Sequence, residues 1–271
     1  MQELMASGWA FKAKYPRESH YINYKDLIDD HSFQFNGGFV VVKGCIPEET
    51  ILNIRNQYFS SFSGGEYTFD GRQWNHICTT SSEHGIGTHP AISFVKQQSF
   101  LDLISQKQIY KSAGKILNCK KPILCKRAIV RSFSHLSSRC THAHRDCDYY
   151  KIPDNSKAIT AWIPLGPAGL EHGQLVYLEK SEQFHETINL LIKSDRTISS
   201  NLSELSSSLN LKWISPKVQA GDVIFHCLQN VHASFTTNNI EPRLSCDLRF
   251  AADQSALDPN WNSYWRGDDG L

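Results

Sequence analysis

The sequence predicts an α+β fold, mostly β, in which a helical N-terminal half supports a β-rich C-terminal half. Three observations predict it. Helical apolar spacing dominates before residue 122. From Pro122 onward, short strand-like runs follow one another, separated by Gly, Pro and Asn turns, the pattern of an all-β barrel or sandwich. The chain has 271 residues, enough for one large domain with a full hydrophobic core.

The elements follow in order. The first 35 residues are weakly patterned. Gly38 to Val42 reads as a short buried strand. Pro47 suits the first position of a helix, and Ile51, Leu52, Ile54, Tyr58 and Phe59 give that helix one apolar face. Residues 60–90 are rich in Gly and read as loops and short strands. A second helix is expected from about Ile92 to Leu117, closed by Asn118 and Pro122. Strands are expected over 123–133, 141–149, 158–165, 174–178, 223–227, 232–236 and 244–250. A helical interruption spans roughly 182–209, and its Ser-rich part, 199–208, reads as a mobile loop. The whole is one domain: support about 1–121, β core about 122–252, tail 253–271. Because the tail carries Trp261 and Trp265, it is expected to pack back on the barrel.

Composition narrows the function classes. Lys plus Arg is 28 and Asp plus Glu is 27. That balance gives no electrostatic case for nucleic acid or an anionic membrane. The eight cysteines include no C-x-x-C pair, so reduced thiols in a cytoplasm are the plain reading. The N-terminus shows no signal-peptide run and no stretch is apolar enough to span a membrane. A small molecule is therefore the expected partner, with the oligomeric state left open.

The densest chemistry is Thr-His-Ala-His-Arg-Asp-Cys-Asp at 141–148. On a strand, His142, His144, Asp146 and Asp148 share one face. A His-x-Asp pair offers one imidazole and one carboxylate to a cation, and a distant histidine completes a facial triad with three open positions. Alone this is a weak signal, since polar surface strands often carry such pairs. A second cluster strengthens it: Gly221-Asp222-Val223-Ile224-Phe225-His226, then His232-Ala233-Ser234, then Arg243. The rival register makes His142 and His144 the ligands, as in cupin-type sites. His226 reads as structural or as a neighbour of the ligands. His76, His84, His89, His172 and His185 read as loop or surface residues.

These motifs resemble the phytanoyl-CoA dioxygenase family: H-x-D, G-D-x-x-x-F-H, H-x-S, and an Arg eleven positions after His232. Trp162-Ile163-Pro164-Leu165 and Gly173-Gln174-Leu175 resemble two further segments, so the likeness covers about residues 35–250. It implies a double-stranded β-helix (jelly-roll, cupin-like) using Fe(II), 2-oxoglutarate and O₂. It maps the metal ligands to His144, Asp146 and His232. Arg243 would bind the distal carboxylate of the oxo-acid, a task suited to a planar, permanently charged fork. Ser234 and Ser245 are hydroxyl helpers; Arg131 and Trp162 are placed beside the cosubstrate. His142, Asp148, Tyr149 and Tyr150 are candidates to face substrate. One departure is visible: of the family's Gly-Ser-His after the G-x-L strand, only Ser181 remains.

A carboxylate at Asp146 leaves no room for a halide, so the resemblance implies hydroxylation or a related oxidation, with release of succinate and CO₂. The substrate is expected to be a small molecule, in a natural-product tailoring step. Two alternatives stand beside it. Arg243 and Arg249 form the R-x₅-R pair also seen in nucleic-acid dealkylating oxygenases, and the second alternative is a metal-binding cupin-like protein without oxygenase activity.

Overall fold

The computed structural model describes residues 1–61, 67–69, 76–78, 90–136, 140–149, 157–256 and 259–266. In chain order its strands begin with β1 (Gln2–Ala6), β2 (Trp9–Lys14), β3 (Tyr21–Asn23) and β4 (Phe39–Lys43). Next come β5 (Tyr67–Phe69), β6 (His76–Cys78), β7 (Ile123–Leu124), β8 (Ile129–Phe133) and β9 (Ala158–Pro164). The series ends with β10 (Leu175–Leu178), β11 (Trp213–Ile214), β12 (Val223–Cys227), β13 (His232–Ser234) and β14 (Arg243–Ala251). The helices are α1 (Tyr24–Asp29), α2 (Glu48–Ser60), α3 (Pro90–Phe94), α4 (Gln98–Ile104), α5 (Lys107–Leu117), α6 (His185–Asn189) and α7 (Leu202–Ser208).

Two curled sheets make the β core. The major sheet runs β3-β4-β12-β9-β14-β7, with β8 also paired to β14. The minor sheet runs β1-β2-β11-β10-β13. A two-stranded sheet joins β5 and β6. No helix among the described residues is long and apolar enough to cross a membrane.

Strand β14 shows how the major sheet is built. Its side chains alternate between faces, as the two-residue period of a strand requires. Leu244, Cys246, Leu248 and Phe250 join the large apolar cluster with Ile51, Ile54 and Tyr58 of α2, Phe100 and Leu103 of α4, and Ile109 and Ala113 of α5. Arg243, Ser245, Asp247 and Arg249 occupy the alternate positions and are buried as well. Along β14 one face is therefore ordinary core and the other a row of buried polar groups, and the second face turns apolar toward β4, through Trp162, Ile224 and Val41. A domain places four polar groups there only when something polar is to be held, because each is costly to bury without a partner.

Several expectations are corrected. The N-terminal segment is not a helical support alone, since it contributes β1 and β2 to the minor sheet and β3 and β4 to the major one. Leu4, Ala6, Phe11 and Ala13 alternate with exposed residues in the first two strands, a pattern too short to stand out. Ser7 and Gly8, both with positive φ (48° and 82°), turn that hairpin, as a two-residue turn demands.

The single helix expected over 92–117 is three helices, interrupted where Gln97 and Gln106 adopt extended backbone. Asn118, left-handed at φ 51°, ends α5. The Cys119 amide donates back to the Gly114 carbonyl at 2.9 Å, closing the helix in a Schellman-type motif. The Ser-rich part of 199–208 is not a loop. Asn201 caps α7 by accepting from the Glu204 amide at 3.1 Å, and Leu202 and Leu205 are buried in a cluster with Trp213. Finally, 141–149 is not a strand. Ala143 and His144 make isolated bridges, and Asp146–Asp148 form a 3-10 turn.

Candidate metal centre

His144 and His232 are brought together by their backbones. Each amide donates to the other's carbonyl at 3.0 Å, and such a pair puts both side chains on the same face. The ring centroids are 4.3 Å apart. Immediately after the bridge the chain turns, and Asp146 swings its carboxylate beneath both rings. Its Oδ1 lies 3.7 Å from His144 Nε2 and 3.8 Å from His232 Nε2. The three ligand atoms all lie within 4.8 Å of one another, and all three residues are buried. Ligands bound at about 2.0–2.2 Å to one ion lie within about 4.4 Å of each other. Both carboxylate-to-imidazole distances fall inside that limit.

The hydrogen bonds fix the tautomers. His144 Nδ1 contacts the His142 carbonyl at 2.8 Å, and His232 Nδ1 contacts the Asn230 carbonyl at 3.1 Å. A carbonyl only accepts, so both Nδ1 atoms carry hydrogen and both Nε2 lone pairs face Asp146. Burial holds His144 below its ordinary pKa. Burial, with His144 and His226 adding to it, holds His232 well below. For Asp146 burial works upward, but Arg249, His226 and His232 outweigh it and hold the carboxyl well below the usual range. Two neutral imidazoles and one carboxylate are the forms a cation needs, so near neutral pH no proton has to be displaced for one to bind.

Beside this centre is a small cavity lined by Ile129, Arg131, Thr141, His144, Asp146, Tyr149, Arg249 and Trp261. Arg131 Nε donates to Asp247 Oδ2 at 3.1 Å. Arg131 on β8 stands opposite Ser245 of β14 in register, and Asp247 lies two residues further along β14. Arg243 is buried over the Phe133 ring, 4.3 Å from its centroid. Its Nη1 donates to the Gly173 carbonyl, and its Nε has no hydrogen-bond partner among the described residues. Burial pushes the Arg243 guanidinium down to about 9. The buried Ser245 hydroxyl likewise has no partner among the described residues. An orphaned guanidinium nitrogen and an orphaned hydroxyl, two residues apart on one strand face, fit a carboxylate group.

Other candidates lie elsewhere. The Ser234 hydroxyl accepts from the Thr141 amide at 2.7 Å, so it anchors the segment leading into the triad. Trp162 is packed with Val41, Tyr177 and Ile224 and does not line the cavity. The His142 side chain is exposed, so the rival register has no footing in this geometry. Asp148 is held by Arg145, through Nε at 3.0 Å and Nη2 at 2.6 Å. Tyr149 stands edge-on to His144 with ring centroids 5.6 Å apart. Tyr150, His76, His84, His89 and Cys78 have side chains outside the described residues.

Sequence reasoning passed over three contributors. Thr160 donates its hydroxyl to Asp146 Oδ2; nothing in the sequence marks it. Arg249 Nη2 lies 3.4 Å from Asp146 Oδ1; its place on the same strand face as Arg243 was the available signal. Tyr177 Oη lies 3.1 Å from His226 Nδ1 in a hydrogen bond; it sits inside a strand that reads as plain core.

No family model and no curated protein sequence matches the chain. Solved structures do match its fold. The epimerase SnoN, in complex with Fe3+, alpha ketoglutarate and nogalamycin RO, aligns with a TM-score of 0.55 at 16% identity, over 86% of this chain and 87% of that one. The non-heme alpha ketoglutarate dependent carbocyclase SnoK from nogalamycin biosynthesis aligns with a TM-score of 0.55 at 17% identity, over 79% of each chain. EctD from S. alaskensis, with 2-oxoglutarate and 5-hydroxyectoine, aligns with a TM-score of 0.53 at 11% identity, over 84% of this chain and 79% of that one. At these identities the likeness is one of fold, and the chain shares the jelly-roll architecture of these iron- and 2-oxoglutarate-dependent enzymes.

Proposed function

We propose that this chain is an Fe(II)/2-oxoglutarate-dependent oxygenase of the phytanoyl-CoA dioxygenase type, hydroxylating a small molecule in natural-product tailoring. The observation that carries the reading is the buried His144–Asp146–His232 triad with the orphaned Arg243 Nε on the polar face of β14. His144, Asp146 and His232 would hold the metal. Arg243, with Ser245, would take the distal carboxylate of the oxo-acid, and Arg131, held by Asp247, would border it. When bound, the metal and oxo-acid supply an oxidant able to remove a hydrogen atom from an unactivated C–H bond, with succinate and CO₂ released.

The chain's own residues do the rest. The tautomer-fixed histidines and the ionised Asp146 keep three ligand positions filled, leaving the others for cosubstrate and O₂. Tyr149 and Trp261 wall the cavity beside the triad. The near-neutral charge balance favours a small substrate over a nucleic acid, and a cytoplasmic setting suits the seven free cysteines among the described residues.

The test is an anaerobic titration with Fe(II) and 2-oxoglutarate. A visible charge-transfer band, followed by succinate release on admitting air, supports the reading. Absence of both leaves a non-enzymatic metal protein. Product mass then sorts the reaction. A gain of one oxygen is hydroxylation. Two of the neighbours are described as an epimerase and a carbocyclase, so an unchanged mass or a loss of two hydrogens is the second outcome to look for.

A further inference from the structure

The two oxygens of Asp146 face different surroundings. Oδ1 is the atom nearest both ligand histidines, at 3.7 and 3.8 Å. Oδ2 accepts from the Thr160 hydroxyl and lies 3.4 Å from His226 Nε2. The donors have a common origin. His226 on β12, Thr160 on β9 and Arg249 on β14 are successive partners in register, so one rung of the major sheet supplies all three groups around this carboxylate. In the minor sheet, His144, His232 and Tyr177 form a second rung. Tyr177 Oη meets His226 Nδ1 at 3.1 Å and so ties the two rungs together.

An ionised carboxylate only accepts, so the contact of His226 Nε2 with Oδ2 is favourable with hydrogen on Nε2, while the Tyr177 hydroxyl meets Nδ1 on the other side of the ring. A nitrogen that carries hydrogen is not a metal ligand. Among the described residues His226 Nε2 makes no hydrogen bond of full geometry; its polar contact is the long one to Asp146 Oδ2, at 3.4 Å.

We propose that His226, oriented by Tyr177, is a positioning residue that keeps Asp146 a one-oxygen ligand. The inference rests on the oxygenase reading above. A carboxylate free to rotate can chelate with both oxygens and fill a position that the oxo-acid or O₂ requires. With Oδ2 bonded by the Thr160 hydroxyl and faced by His226 Nε2 at 3.4 Å, Asp146 turns Oδ1 toward the two ligand histidines. Outer partners of this kind typically change metal affinity or activity by about 10–100-fold.

The test compares His226→Asn, whose amide is too short to reach Oδ2, with His226→Gln, whose amide nitrogen falls near Nε2, and with Tyr177→Phe. Each full-length protein is loaded anaerobically with Co(II) for its visible ligand-field spectrum, and separately with Fe(II) and titrated with 2-oxoglutarate. Melting temperatures of the metal-free proteins verify folding. All variants are expected to bind one Co(II). His226→Asn should alter the Co(II) spectrum and raise the half-saturating 2-oxoglutarate concentration about 10-fold or more. His226→Gln should restore both to near wild type, and Tyr177→Phe should fall between. Unchanged oxo-acid binding in His226→Asn overturns the proposal. So does loss of Co(II) from both His226 variants, which would make His226 a ligand. A wild-type protein that binds no metal overturns the oxygenase reading itself, and this inference with it.

Discussion

The amide of His144 donates to the carbonyl of His232, and the amide of His232 donates back, both at 3.0 Å. Two ligands 88 residues apart in sequence are thus held by a single rung of backbone, while the third, Asp146, hangs from the turn that follows. The ring positions are fixed by the fold, before any metal arrives. The loop-closing entropy has already been met by folding, and the predictions below follow from that preorganisation.

Asp146 sits in a buried ion pair with Arg249 at 3.4 Å. Asp146→Asn keeps the shape and removes the charge. It should abolish turnover, and also destabilise the metal-free protein by about 1.5–3 kcal/mol, since Arg249 loses a charged acceptor in a buried setting. Denaturant unfolding of the metal-free variant measures this. A variant as stable as the wild type would mean that Arg249 is compensated elsewhere.

On the proposed reading, Arg243 serves the oxo-acid and not the metal. Arg243→Met should raise the half-saturating 2-oxoglutarate concentration about 10–100-fold, the equivalent of one charge-assisted hydrogen bond or slightly more. Metal affinity should stay within about 2-fold of wild type, a margin of under about 0.5 kcal/mol. The two titrations, run on the same preparation, separate these effects.

Gly173 holds Arg243 through its carbonyl, and no side chain fits there. Its φ is +68°, and an added Cβ would lie 2.3 Å from the Phe235 carbonyl oxygen and 2.9 Å from the Thr237 nitrogen. Gly173→Ala should therefore cost more than about 1 kcal/mol of stability and weaken oxo-acid binding as well. Thermal unfolding and the charge-transfer titration report the two parts.

The histidine shifts imply a pH dependence. Burial keeps His144 and His232 neutral in the folded protein, whereas the unfolded chain protonates them near their ordinary value. Below that value the unfolded state binds more protons, so stability rises with pH there. The metal-free protein should lose stability as pH falls through and below about 6.5. Bound Co(II) should oppose that loss. Melting temperatures between pH 5 and 8, with and without Co(II), check both signs.

Trp261 walls the cavity and packs on two guanidiniums, 4.9 Å from Arg249 and 5.2 Å from Arg127. Its backbone carbonyl accepts from the Arg127 amide at 3.1 Å. Trp261→Ala should destabilise the fold by about 3 kcal/mol and raise uncoupled succinate release, because the cavity opens to water. Trp261→Phe should recover most of the stability. An unchanged coupling ratio in the alanine variant would remove Trp261 from the site.

The sequence by itself determined which donor types are present: two imidazoles, a carboxylate and a guanidinium at fixed spacing, because donor type is a property of the residue. It also determined β12, β9 and β14 to within a residue or two, because short β-branched and aromatic runs bounded by Gly, Pro and Asn favour extended chain. Tertiary structure alone decided the rest. The expected strand at 141–149 became a bridge and a 3-10 turn, since Asp146 must leave the strand to reach both rings. The short N-terminal strands became legible only when paired, because five residues of weak alternation gain their stability from the neighbouring sheet. The rung of His226, Thr160 and Arg249 around Asp146 is a matter of register across three strands. Register is set by long-range pairing, and no local pattern in the chain announces it.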